Sequence, residues 1–125
     1  MELNSNHIIS KTASRITEIS KLILDKKLYS DEFKNYLPEN GVMDKDWSEA
    51  IYETIDNCPY KFDVWIVLSE NKNLRTMRIG NSSCYEVWAE FTTRINGKIE
   101  LSDMVIDLEY NTKNDKLIFV KVFCP

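Results

Sequence analysis

Residues 85–108 read YEVWAEFTTRINGKIELSDMVIDL, and this stretch decides the fold class. Asn96-Gly97 at its centre is a strong hairpin signal, because a type I′ turn needs positive φ at both central residues and these two residue types tolerate it. Apolar and polar residues alternate on either side of the turn, as they do in strands with one buried face. The stretch therefore predicts a hairpin of two long antiparallel strands.

The turn also predicts how the two strands are aligned. If Ile95 lies opposite Lys98, one face of the hairpin becomes nearly all apolar. We expect this face to be the core side. Its predicted pairs are Tyr85 with Leu108, Val87 with Ile106, Ala89 with Met104, and Phe91 with Ser102.

The other face of the predicted hairpin is acidic and surrounds Trp88. Directly opposed like charges destabilise a sheet by an amount comparable to the ~0.2–1 kcal/mol that a favourable pair contributes. Residues 86–109 contain six acidic side chains but only two basic ones, Arg94 and Lys98. The predicted outward pairs are Glu86 with Asp107, Trp88 with Val105, Glu90 with Asp103, and Thr92 with Leu101; Glu100 and Glu109 complete the acidic set.

Three interpretations of this acidic face are open. Lys121, Arg75 or Arg78 on neighbouring strands could neutralise the acids, so that the face is simply solvated. Alternatively, the acids and Trp88 form a docking surface for a basic protein, with an aromatic anchor inside complementary charge. In the third interpretation, close carboxylates act as an acid and base pair or bind a divalent cation. The candidate partner-binding residues are Glu86, Trp88, Glu90, Asp103, Asp107 and Glu109.

Before the hairpin, the sequence predicts three helices. Residues 6–28 have apolar side chains at spacings of three and four, which indicates an amphipathic helix. A second helix is predicted over 31–37 with Ser30 as its cap, and a third begins at Asp46 and stops before Pro59. The predicted apolar stripes are Ile9, Ala13, Ile16, Ile19 and Ile23 in the first helix, and Trp47, Ala50, Ile51 and Ile55 in the third.

Beyond Pro59 the apolar period changes from near four to two, which indicates strands. Helices followed by a meander of strands predict the α+β class, with the N-terminal helices packed on one face of an antiparallel sheet of about four to five strands. We expect a single domain over residues 1–125, because this length and 43% hydrophobic content suffice for one core. The predicted strands are 62–69, 74–79, 85–95, 98–110 and 116–124.

Composition and motifs argue against several classes of function. The formal net charge of −4 disfavours a nucleic-acid surface and favours a cationic partner. His7 is the only histidine, and Cys58, Cys84 and Cys124 form no metal-binding or redox motif. There is no phosphate-binding glycine motif and no apolar run long enough for a membrane span. We therefore expect a cytoplasmic protein that is not an enzyme and that binds no metal, cofactor, nucleic acid or membrane.

The predicted layout is similar to that of cystatin-like and nuclear-transport-factor-like domains, in which helices pack on a curved sheet. Here, however, the helices precede all the strands. That resemblance implies a small-ligand or enzymatic pocket between the helices and the sheet face that bears Tyr85, Val87 and Phe91.

The acidic hairpin also resembles, at the level of type, bacterial immunity proteins of contact-dependent inhibition and related polymorphic-toxin systems. The residues that carry this resemblance lie between Trp88 and Leu108 and include Gly97-Lys98, Ser102-Asp103 and Asp107-Leu108. The resemblance implies a tight inhibitory complex with a cationic toxin domain, often a nuclease, and no catalysis by this chain.

Overall fold

Helices occupy the N-terminal part of the chain in the computed structural model, which describes residues 5–39 and 41–124. An antiparallel, curled sheet of five strands follows, so the predicted α+β class is confirmed. The helices are α1 (Ser5–Leu24), α2 (Asp31–Lys34) and α3 (Lys45–Asn57).

Helix α1 ends at Leu24, four residues before the predicted end, and its buried side differs from the predicted stripe: Ser20 and Leu22 are also buried. Ile16, Ile19 and Ile23 are fully buried as expected. In the first turns, however, Ile8 and Thr12 point inward, and the predicted Ile9 and Ala13 are half-buried. Thr12 tolerates burial because its hydroxyl donates a hydrogen bond of 2.6 Å to the carbonyl of Ile8. The apolar pattern therefore failed to predict that Thr12 is buried.

The shorter helices begin at side-chain caps. Ser30 Oγ accepts a hydrogen bond from the backbone N–H of Phe33 (3.2 Å), as predicted for α2, although the helix itself ends at Lys34. In α3 the cap is Asp44, whose carboxylate accepts from the N–H of Trp47 (2.9 Å), and not the predicted Asp46.

The side of α3 that faces the core also differs from the predicted apolar stripe. Ser48 and Ile51 are buried, and Ile55 is half-buried. Trp47 and Ala50, predicted in the apolar stripe, are exposed instead.

The third strand is central to the sheet. It pairs with the fourth strand along one side, and the first and second strands share its other side. The fifth strand completes the sheet beside the fourth. The strands are β1 (Phe62–Asp63), β2 (Leu74–Arg78), β3 (Cys84–Ile95), β4 (Lys98–Asn111) and β5 (Lys116–Phe123).

The predicted strand over 62–69 is wrong beyond Asp63. The side chain of Trp65 turns into the core and is 1% exposed, and its backbone N–H donates to Ser20 Oγ of α1 (2.9 Å). The Asn73 side chain bonds the residues that follow Trp65: its Oδ1 accepts a hydrogen bond from Leu68 N–H (2.9 Å), and its Nδ2 donates one to the backbone carbonyl of Ile66. Side chains thus satisfy backbone groups that a neighbouring strand would otherwise bond.

The alignment of β3 with β4 is as predicted only near the turn. The pairs from Ile95 and Lys98 to Thr92 and Leu101 are present, but a bulge then shifts the register by two residues. The predicted pairing of Glu90 with Asp103 is therefore wrong. The observed pairs beyond the bulge include Glu90 with Val105, Ala89 with Ile106, Trp88 with Asp107, Val87 with Leu108, Glu86 with Glu109 and Tyr85 with Tyr110.

A shift of two residues preserves the alternation of faces, because side chains alternate with a period of two. The predicted core face is therefore correct in its composition, apart from the half-buried Ser102. It packs against the helical layer, where the rings of Phe33 and Phe119 meet edge to face at 5.1 Å. The buried residues of this face are Tyr85, Val87, Ala89, Phe91, Met104, Ile106, Leu108, Tyr110, Leu117 and Phe119.

Candidate functional site

The sheet face opposite the helices, which we call the outer face, contains most of the predicted site residues. Its central cross-strand row runs from Arg75 on β2 through Trp88 and Asp107 to Lys121 on β5. The remaining side chains of the outer face are Met77, Glu86, Glu90, Val105, Glu109, Ile118 and Phe123.

A pair of aromatic rings lies at the centre of the outer face. Trp88 and Phe123 meet edge to face, with ring centroids 5.0 Å apart. Each ring is also contacted by a cation of the chain itself: Arg75 Cζ lies 5.6 Å from the Trp88 centroid, and Lys121 Nζ lies 5.2 Å from that of Phe123. These distances are within the range of cation–π attraction. Two basic side chains therefore flank the aromatic pair.

The acidic side chains of the outer face lack a direct ion-pair partner in the part of the chain that the structure describes. Within the described ranges, Glu86, Glu90, Asp107 and Glu109 form no salt bridge, although Lys121 lies opposite Asp107. Glu86 and Glu109 are directly opposed, so a like-charge pair is present, with Glu109 in place of the predicted Asp107. Among the described residues, these four acids are therefore not neutralised by salt bridges.

Arg75 and Arg78, which could have neutralised the acids of the outer face, make other contacts instead. Arg75 lies over Trp88, and Arg78 donates hydrogen bonds to the carbonyls of Ser82 and Asn81 in the turn that follows β2. Lys121 does act on an acid of the outer face, through its charge on Asp107. The purely neutralised interpretation of the face is therefore only partly supported.

Asp107 is the most unusual acid of the outer face, since it is only 7% exposed. Burial raises the pKa of its carboxyl group, the charge of Glu86 raises this pKa further, and Lys121 acts in the opposite direction. In the part of the chain that the structure describes, Asp107 Oδ1 and Trp88 Nε1 are both buried without a hydrogen-bond partner. The indole N–H is close enough to favour the ionised carboxylate but does not reach hydrogen-bond geometry.

Glu90 and Asp103 are joined by a hydrogen bond between side chain and backbone, which the predicted alignment did not include. Asp103 has a φ of 65° in the bulge, and its backbone N–H donates a 2.8 Å hydrogen bond to Glu90 Oε2. The next residue, Met104, donates its N–H to Ser102 Oγ (3.0 Å). The Glu90 carboxylate therefore stabilises the bulge, and the exposed side chain of Asp103 is displaced from the row opposite Glu90.

Two hollows open on the outer face, and both are lined by Arg75 and Trp88. The larger has a volume of about 200 Å³ and is bounded also by Met77 and Glu86. The smaller, about 80 Å³, lies on the side of Glu90. The Arg75 side chain therefore borders both openings beside the tryptophan.

Phe123 and Arg75 belong to this surface but were not predicted as site residues. Alternation along β5 from Leu117 and Phe119 would place Phe123 on the core side. A second bulge, opposite the step from Asp107 to Leu108, inserts one extra residue and turns Phe123 to the outer face. The only sequence signal for Arg75 was its position on the neighbouring strand.

The inner face is closely packed at the residues where the alternative, a ligand pocket beneath the helices, was expected. Tyr85, Val87 and Phe91 are only 3%, 0% and 0% exposed. Among the described residues, no group of three or more histidine, cysteine or acidic side chains is arranged to hold a metal ion. The three cysteines are free thiols, of which Cys124 is exposed.

Comparison of this chain with known protein families, with curated proteins and with solved structures finds no match. No helix in residues 5–39 and 41–124 is both long and apolar enough to cross a bilayer. The geometry of the outer face is therefore the basis for assigning it a function.

Proposed function

We propose that this chain is a protein-binding domain whose outer face docks a cationic protein. The observation that carries the proposal is the set of acidic side chains around the Trp88–Phe123 pair that have no ion-pair partner in residues 5–39 and 41–124. Aromatic anchors surrounded by complementary charge are typical of protein interfaces. Such a surface favours association with a basic partner over nucleic acid, whose phosphates the acids would repel.

In its most specific form, the proposal is an immunity protein that occludes a basic toxin domain and has no catalytic activity of its own. The resemblance of residues 88–108 to immunity proteins of contact-dependent inhibition supports this form. Asp107 Oδ1, which is buried without a hydrogen-bond partner among the described residues, adds to it, because a basic side chain from a partner would supply a donor.

A binding titration with the toxin domain encoded beside this chain tests the proposal. We expect the affinity to fall when the salt concentration is raised from about 0.05 to 0.3 M, because exposed charges act through a screened field. Glu86→Gln and Asp107→Asn should each weaken binding by about thirtyfold or more, since loss of a desolvated charge pair costs about 2 kcal/mol or more.

Glu32→Gln is the matched control, because Glu32 is exposed on α2 in the helical layer away from the outer face. It removes the same charge and should leave the affinity unchanged. Co-expression with the toxin domain should restore growth for the unmodified chain, and less well for Asp107→Asn. Equal binding by all variants with no effect of salt would contradict the outer face as the docking surface, and failure of co-expression to protect would contradict the immunity function.

A further inference from the structure

Two basic side chains of the chain itself lie over the aromatic rings of the outer face. Arg75 and Lys121 lie over adjacent rings, at 5.6 and 5.2 Å from their centroids. Neither forms a salt bridge within the described residues, so these ring contacts are not by-products of ion pairs. The faces of Trp88 and Phe123 are thus arranged in the free protein to attract positive charge.

A buried anionic acceptor lies directly beside these rings. Asp107 is 7% exposed, is cross-strand from Trp88, and has an Oδ1 atom without a hydrogen-bond donor among residues 5–39 and 41–124. A buried acceptor left unpaired destabilises the fold, and native proteins rarely retain one without a reason. Donors from another molecule would satisfy it.

We infer that Trp88, Phe123 and Asp107 form a recognition site for an arginine side chain of the partner, and that Arg75 occupies the approach to this site in the free chain. This inference rests on the proposed function and names the group that the outer face recognises. A hollow of about 200 Å³, with Trp88 as one wall and Arg75, Met77 and Glu86 around it, receives the incoming side chain on the Trp88 side of the site; Phe123 and Asp107 are not among its lining residues.

Arginine fits this site better than lysine for a geometric reason. A guanidinium is planar, stacks on an aromatic face, and directs several N–H donors in a fixed fork that matches a carboxylate. An ammonium is a compact, strongly hydrated charge, and its transfer to the buried Asp107 is less favourable. The Glu86 carboxylate at the edge of the hollow attracts either cation and therefore contributes little to the preference.

Arg75 then competes with the incoming arginine for the ring of Trp88, so its removal should raise the affinity for such a ligand. Arg75→Gln should strengthen binding of an arginine-containing ligand by about three- to tenfold, because the ligand no longer has to displace the resident guanidinium from Trp88. Lys72→Gln is the matched control: Lys72 is an exposed cation beside the smaller hollow, and its replacement removes the same charge. It should change the affinity by less than about twofold, as expected for a screened surface charge.

The experiment is an NMR titration of the ¹⁵N-labelled full chain with an acetylated, amidated peptide that alternates arginine and glycine. A lysine–glycine peptide and a serine–glycine peptide are the comparison probes. We expect the arginine peptide to produce saturable shifts of the Trp88 indole cross-peak, while the indole of Trp65, which is 1% exposed, stays in place. Asp107→Asn should abolish the preference for arginine over lysine, with its fold verified by a thermal melt.

The outcomes separate this inference from the proposed function. Salt-sensitive binding that shifts outer-face amides but not the Trp88 indole, or an Arg75→Gln variant no stronger than Lys72→Gln, refutes the arginine site and leaves the outer face as a docking surface. If neither charged peptide binds at low salt while the toxin domain does, the arginine site is refuted and the proposed function stands; if the toxin domain does not bind either, both are contradicted.

Discussion

Replacement of Asp107 by Asn should stabilise the fold at neutral pH, which is the opposite of the usual result for a buried polar group. The carboxylate is 7% exposed and its Oδ1 has no hydrogen-bond partner within the described chain. Asparagine has nearly the same shape but carries no charge to desolvate. The substitution therefore removes the free-energy cost of burying a charged carboxylate and leaves the packing against Trp88 intact.

The size of the effect follows from two opposing contributions. An unsatisfied buried acceptor costs about 1–3 kcal/mol, and more when it is charged. The charge of Lys121 offsets part of that cost, and the new amide group must itself find partners. We therefore expect the free energy of unfolding at about pH 7 to rise by about 1 kcal/mol, or roughly 4 °C in Tm for a domain of this size.

The gain in stability should depend on pH, because it arises from the ionised form of Asp107. Since the folded-state pKa of this carboxyl group is raised, its stabilising contribution is fully present below the unfolded pKa of about 3.9 and is lost as pH rises through the folded pKa. Thermal melts followed by circular dichroism should show both proteins equally stable near pH 3 and the variant more stable near pH 7.

Glu32→Gln again provides a control, with a change of no more than about 0.5 kcal/mol expected at an exposed helix position. An Asp107→Asn protein that is clearly less stable than the unmodified chain at neutral pH would contradict the expected cost of the buried charge. That result would mean that attraction between Lys121 and Asp107 outweighs the cost of burial.

Three further sets of hydrogen bonds, none of them visible in the sequence, can be tested by substitution or titration. Glu90→Ala should lower the free energy of unfolding by about 1.5–3 kcal/mol and Glu90→Gln by less, because the bulge loses a charge-assisted bond; an unchanged urea midpoint for Glu90→Ala would contradict this. Ser20→Ala should cost about 1–3 kcal/mol by leaving the backbone N–H of Trp65 unpaired, and faster hydrogen exchange at that amide would locate the loss. Carbon-detected titration should give Asp115 a pKa below its ordinary value, because the Tyr110 hydroxyl and the Arg15 guanidinium donate hydrogen bonds to its carboxylate. The contribution of Asp115 to stability is therefore present above its unfolded pKa and is lost as pH falls through its folded pKa. A normal or raised pKa would show that these hydrogen bonds do not persist in solution.

Local sequence signals were sufficient for the hairpin but not for its alignment along the whole length. Asn96-Gly97 predicted the turn correctly, and both residues have positive φ, at 52° and 79°. The predicted register then failed at Ser102 and Asp103, because no rule of alternation marks a two-residue bulge. The failure did not affect the inner face, since a shift by two residues returns each side chain to the same side.

The composition of the candidate site was predicted in part for the same reason. Glu86, Trp88 and Glu90 lie on the outer face because their neighbours on β3 are apolar, and that alternation is visible in the sequence. Phe123 could not be assigned to this face, because its orientation depends on a one-residue bulge in β5 that forms only against β4. Of the two predicted like-charge pairs, Glu86 with Asp107 is replaced by Glu86 with Glu109, and Glu90 with Asp103 is absent.

The α+β class, the helical N-terminal part, the hairpin and the apolar inner face could all be predicted from the sequence, because they follow from periods of 3.6 and two residues and from turn chemistry. Three features became visible only in the packed chain: Trp65 leaves its strand for the core, Asp107 is buried without a donor among the described residues, and Arg75 and Lys121 cover the Trp88–Phe123 pair. Bulges, burial and contacts between distant side chains arise when separate elements pack together, and the order of residues within any one element does not specify them.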